Sequence, residues 1–166
     1  MVISHKKKSI WPLPGGNYKY VDTLTKCLTF LSHGGKRLDE IEDWFVKNFD
    51  NVKKRGAVRG YLYVMIYYIP FIKNENDIFV LTEKGKKFLK IKNAETIYEI
   101  LNSNVDGFEQ IIEFIKSQRR TKKEIHDMLV EELNAKWKGY HQINYRLGWL
   151  LSLDKIKQKY NYYQIT

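Results

Sequence analysis

The stretch RTKKEIHDMLVEELNAKWKGYHQINYRLGWLLSLDKIKQKYNYYQIT, Arg120 to Thr166, decides the fold because its hydrophobic period changes along it. Thr121 followed by Glu124 makes a capping box: the hydroxyl accepts from the N3 amide while the carboxylate accepts from the N-cap amide. Ile125, Leu129 and Leu133 then recur at helical spacing, and the chain turns near Lys138 and Gly139. A second apolar stripe, Ile143, Leu147, Leu150 and Leu151, predicts another helix over 138–153. After Asp154 the period falls to two. Lys155–Gln158 and Tyr162–Ile165 read as strands around a Lys159-Tyr160-Asn161 turn.

Working upstream, Leu24, Leu28 and Leu31 predict a helix stopped by Gly34-Gly35, and Leu38, Ile41, Phe45 and Phe49 predict a second. A third is expected from about Val52 through Leu62, Met65 and Ile69 to Pro70. Phe71–Lys73 and Ile78–Leu81 then read as strands, and Thr82 caps a short helix. This order matches that of the second half. At an offset of 84 residues, Leu28–Thr82 aligns with Ile112–Thr166 without a gap, pairing Glu40 with Glu124, Tyr61 with Tyr145 and Ile72 with Ile156. The expected fold class is therefore mainly α with small β-hairpins (α+β), as two tandem winged helix-turn-helix domains. Residues 1–20 form an irregular arm, 21–92 the first winged helix, 93–105 a helical connector and 106–166 the second winged helix. Asp106 with Glu109 reads as a further capping box. The chain ends with the second hairpin, lacking the helix that follows the first, which suggests a piece of something longer.

Composition narrows the partners. A formal net charge of +10 suits a polyanion. Cys27 is the only cysteine, which excludes an intramolecular disulfide and a cysteine-based zinc site. No apolar run reaches membrane-spanning length and no secretory signal opens the chain, so a cytoplasmic protein is expected.

Helix-turn-helix units lay their second helix in the major groove, where side chains meet base edges. In the second copy the face opposite the apolar stripe carries Lys138, His141, Gln142 and Tyr145, with Arg146 flanking it, as the candidate base readers. Candidate phosphate binders surround it: Arg119, Arg120, Lys122 and Lys123 at the start of the preceding helix, and Lys155, Lys157 and Lys159 on the hairpin. The first copy offers Lys53, Lys54, Arg55 and Arg59, but Ala57 and Gly60 leave its helix poorer in hydrogen-bonding groups. The second copy is therefore expected to read more bases.

From Arg59-Gly60-Tyr61 to Phe71-Ile72, and from Phe79 through Thr82-Glu83-Lys84-Gly85 to Leu89, the chain resembles the recognition regions of type IIS restriction endonucleases and their nicking relatives. Trp11-Pro12-Leu13-Pro14 is similar to the opening of such regions. The usual Leu-Gly-Phe-Ile is here Ile69-Pro70-Phe71-Ile72, so the third helix must end differently. The resemblance implies a double-stranded-DNA recognition module of a restriction system, with a nuclease domain or subunit outside the chain.

Catalytic motifs find no support. Asp77 with Glu83 and Lys84 falls on a turn and a helix start, and Asp39–Asp43 reads as a charged first turn. His5, His33, His126 and His141 lack metal-ligand spacing, so no metal, no cofactor and no catalysis is expected. The rival functions are a winged-helix transcription or replication regulator and a winged-helix protein-interaction scaffold.

Overall fold

The computed structural model describes residues 5–166; Met1 to Ser4, the start of the expected arm, lie outside the described residues. The class is α+β. Helix α1 (Tyr20–Ser32) leads to strand β1 (Lys36–Arg37), helix α2 (Leu38–Asn48) and helix α3 (Ala57–Tyr63), which continues as a π-helical turn, Val64–Tyr68. Strands β2 (Ile72–Glu75) and β3 (Ile78–Leu81) form a hairpin, followed by α4 (Glu83–Ile91) and α5 (Ala94–Asn104). The second half repeats the pattern as α6 (Phe108–Lys116), β4 (Arg120–Thr121), α7 (Lys122–Glu132), α8 (His141–Ser152), β5 (Ile156–Lys159) and β6 (Tyr162–Ile165).

The offset read from the sequence holds at every boundary from the first short strand onward. Strands begin at Lys36 and Arg120, the next helices at Leu38 and Lys122, the following ones at Ala57 and His141, each pair 84 positions apart. Both sheets are antiparallel, in the orders β1-β3-β2 and β4-β6-β5. The registers correspond as well, with Lys36 opposite Phe79 and Arg120 opposite Tyr163. The third strand of each sheet was not expected: two residues are too short to carry an alternation signal.

Local chemistry explains the elements. Thr121 accepts from the Glu124 amide at 3.3 Å while the Glu124 carboxylate accepts from the Thr121 amide at 2.7 Å, so the capping box forms as read. The Asp106 box does not. Gly107, at φ 106°, occupies the N-cap of α6, and its N–H donates to the Gln110 side chain at 3.1 Å. The third helix starts five residues later than the sequence suggested, because Val52 belongs to the preceding turn. Its end answers the proline. The Ile69 amide reaches back five residues to the Val64 carbonyl at 2.9 Å, and the Phe71 amide to Met65 at 3.1 Å. The last turn thus closes before Pro70, which has no N–H to donate.

Thr82 and Gly85 act together at the start of α4. The Thr82 hydroxyl donates to the Pro70 carbonyl at 2.7 Å and accepts from the Gly85 amide at 3.1 Å. A Cβ on Gly85 would overlap the Phe71 carbonyl oxygen, so only glycine lets the helix seat against that backbone. Apolar packing runs without interruption through both halves. Leu24, Leu28, Ile41, Phe45 and Met65 are buried in the first, and Ile111, Ile125, Leu129, Ile143 and Leu150 in the second. Between the halves, Tyr20 meets Trp149 edge-on at 5.2 Å, over a site where a Cβ on Gly148 would come within 2.8 Å of the tyrosine ring. Cys27 lies inside this core, where burial pushes its thiol up to about 12 and leaves it unreactive.

Gly85→Ala should therefore lower stability by on the order of 2–4 kcal/mol in urea unfolding. Gly60→Ala, in open space within α3, should raise it by about 0.5–1 kcal/mol. Equal midpoints for the two variants would contradict the close approach at Phe71.

Candidate nucleic-acid interface

Helix α8, expected to present a polar outer face, is a core element along most of its length. From Arg146 to Leu151 every residue is buried. Two of the expected base readers turn inward and do not face solvent. Arg146 is 0% exposed. Its guanidinium donates to the carbonyls of Asp106 at 2.9 Å, Gln142 at 3.0 Å and Lys8 at 2.7 Å, and lies over the Trp137 ring at 4.8 Å. Burial pushes it down to about 10, so it remains a cation at neutral pH. Gln142 is half-buried and clamps the arm: its carbonyl accepts from the Ile10 amide at 2.8 Å and its amide donates to the Ile10 carbonyl at 3.2 Å. The arm continues along the helix, the Trp149 indole donating to the Trp11 carbonyl at 3.4 Å. The apolar Ile10 is fully buried where Gln142 holds its backbone.

The N-terminal turn of α8 stays open. Lys138, Tyr140 and His141 are exposed, and Asn144 and Tyr145 are half-buried. Tyr140 meets His126 of α7 edge-on at 4.9 Å, and His141 lies 6.2 Å from Tyr145. This end carries the groups that a reading helix uses, since base contacts come from the first residues of such helices.

The candidate phosphate binders divide into two sets. Several are engaged by acids: Lys123 with Asp127, Lys155 with Glu95, and Arg55 with both Glu42 and Asp43. Asp127 is held below the usual carboxylate range by hydrogen bonds from Lys123 and then His126. Arg120 is mostly covered, stacked over Phe114 at 4.2 Å and 3.7 Å from Glu124. The other set has no acidic partner among the described residues. Lys122 sits in the first turn of α7, and Arg119 lies over the Tyr162 ring at 4.5 Å, tying that helix start to the hairpin. Lys157 and Lys159 project from β5, whose last three residues are all exposed, beside Tyr160 at 83% exposure. In the first copy, Lys53, Lys54 and Arg59 are exposed and have no ion pair among the described residues.

Accessible aromatic side chains lie on both copies: Tyr140 and Tyr160 on the second, and a close pair on the first. Tyr63 and Tyr67 are 39% and 55% exposed on α3 and its π-helical turn. Their spacing of four already places them on one helical face, so the pair was open to reading from the sequence. Among the described residues no three His, Cys, Asp or Glu side chains gather as a metal site, and no helix is long and apolar enough to cross a membrane. No protein-family model matches the chain, and no curated protein or solved structure matches it.

Arg146→Met should cost on the order of 3 kcal/mol, since carbonyls of the arm and connector lose their donor at a cost of roughly 1–3 kcal/mol each. Arg146→Lys should recover only part of this, because an ammonium cannot span the same fork. Trypsin cleavage after Lys8 should accelerate in both variants. Unchanged urea midpoints and digestion rates would show that the arm is held by other contacts.

Proposed function

We propose that the two halves are tandem winged helix-turn-helix units and that the second binds double-stranded DNA. The repeated order of helix, short strand, two helices and hairpin supports the architecture. A single observation carries the function. The exposed start of α8 lies against α7 and the hairpin that follows the helix is basic, while the rest of that helix is fixed in the core. A helix so anchored presents Lys138, His141 and Tyr145 to a groove at little entropic cost. Lys122, Arg119, Lys157 and Lys159 then meet the phosphates flanking it. The resemblance of Phe79–Leu89 to type IIS recognition regions further supports a target-recognition module of a restriction endonuclease, non-catalytic in this chain, acting with a nuclease domain or subunit.

A protein-interaction role has its own support. Ile91 is 62% exposed beside a cavity of about 440 Å³ lined by Phe71, Phe88 and Ile100, with Lys84 and Lys87 at its rim. Salt separates the two readings, since an apolar interface does not weaken as counterions are added.

On duplex DNA, affinity should fall steeply between about 50 and 200 mM salt. Changing Lys157 and Lys159 together to alanine should reduce the slope of log affinity against log salt by about 2, equally on all sequences. His141→Ala should instead relax preference at one base pair, at a cost of roughly 1–3 kcal/mol on the selected site. Affinity insensitive to salt and to both changes would sink the DNA reading in favour of the apolar cavity.

A further inference from the structure

The first copy holds a groove that the duplex reading does not use. It runs along α3 and its π-helical turn, about 190 Å³ in volume, between Leu38 and Phe79 on one side and Leu62 and Ile66 on the other. Tyr63 and Tyr67 wall it, their ring centroids 4.5 Å apart and tilted by 43°. Arg59 stands at its rim, one turn before Tyr63.

Charge and ring chemistry together select the occupant. Arg59 has no ion pair, although Asp39 and Glu42 lie near it in the adjoining cleft. Both acids are already engaged, Asp39 by Arg37 at 3.2 Å and Glu42 by Arg55 at 3.1 Å. Asp77, on the hairpin turn, is the remaining acid of that cleft. Among the described residues no carboxylate, Asp77 included, closes on the guanidinium, and Lys53 and Lys54 stand exposed ahead of the same helix. The lining beneath is apolar and aromatic, suited to the face of a flat ring. Lys7 fixes the wall: its ammonium lies 5.4 Å, 5.6 Å and 5.5 Å from the ring centroids of Tyr63, Tyr67 and Tyr68. Its backbone is fixed in turn, the Lys7 amide donating to Asn104 at 2.8 Å and its carbonyl accepting from Asp106 at 3.0 Å. Neither Lys7 nor Tyr68 lines the groove, so the cation orients the rings without filling the space.

We propose that this groove takes one unpaired nucleobase, stacked against Tyr67 and Tyr63 with its phosphate on Arg59. The inference rests on the nucleic-acid reading of the second copy and extends it: the chain grips a duplex with one unit and a displaced base with the other. Stacking on tyrosine is tolerant of base identity, so the groove senses helix distortion and not sequence.

The test compares a fully paired duplex with the same duplex carrying one bulged, fluorescent pyrrolocytosine. The full chain should bind the bulged duplex at least about fivefold tighter and quench the pyrrolocytosine emission. Tyr67→Leu, at a half-exposed position, should abolish both the preference and the quenching. It should leave affinity for the paired duplex within about twofold and the thermal melt unchanged. Arg59→Gln should reduce the preference without removing the quenching. Equal binding of the two duplexes by the unaltered chain, unquenched emission, or a preference that survives Tyr67→Leu would overturn the proposal while leaving duplex binding intact. If neither duplex is bound, the reading of the second copy falls and this inference falls with it.

Discussion

A single buried positive charge ties the parts of this molecule together. Arg146 reaches from the middle of α8 to the arm through Lys8 and to the connector through Asp106, and it closes back on its own helix at Gln142. Main-chain carbonyls take the place of water around it, the Asp106 charge favours its cationic form, and the Trp137 face covers another side. An unsatisfied guanidinium in such a place would cost several kcal/mol, so each of these segments must arrive in register for the core to close. Gly107 belongs to the same constraint. Its positive φ turns the chain there, and a Cβ would sit 2.8 Å from the guanidinium.

That constraint explains why two copies with identical element boundaries present different surfaces. The second copy's long helix is occupied by the arm and by Tyr20, leaving only its first turn free. On the first copy's helix the arm lays only a lysine ammonium, that of Lys7, over a group of tyrosines, and Tyr63 and Tyr67 are exposed where the equivalent Leu147 and Leu151 are buried. Val64 and Gly148 are equivalent positions; the glycine admits the Tyr20 ring that joins the halves. Packing of Tyr20 and the arm against α8 has thus buried positions that the equivalent helix of the first copy leaves exposed.

Much of this was legible in the residues. Local rules read correctly wherever the signal was local: Thr121 with Glu124 as a capping box, Thr82 as a cap, and the two hairpins with their turns. The repeat was legible because a gapless offset constrains many positions at once. What failed was the outward placement of Gln142 and Arg146. Periodicity marks an arginine as polar and therefore exposed, yet here the polar partners come from Lys8 and Asp106, remote in sequence. No pattern within α8 announces carbonyls delivered by another segment. The short strands β1 and β4 escaped for the opposite reason, having too few residues to show any pattern.

The arm is held by its main chain as well as by the side chains of Lys7, Lys8 and Ile10. Lys7 and Lys8 offer carbonyls, Ile10 both its amide and its carbonyl, Trp11 its carbonyl, while Ser9 faces solvent. Such a segment obeys geometry and spelling together: main-chain bonds set its path, while Lys7, Lys8 and Ile10 are tied to what their side chains meet and residue 9 is not. A docked arm of this kind therefore works as a ruler as much as a seal: its distance from Arg146 sets which of its carbonyls the guanidinium can reach.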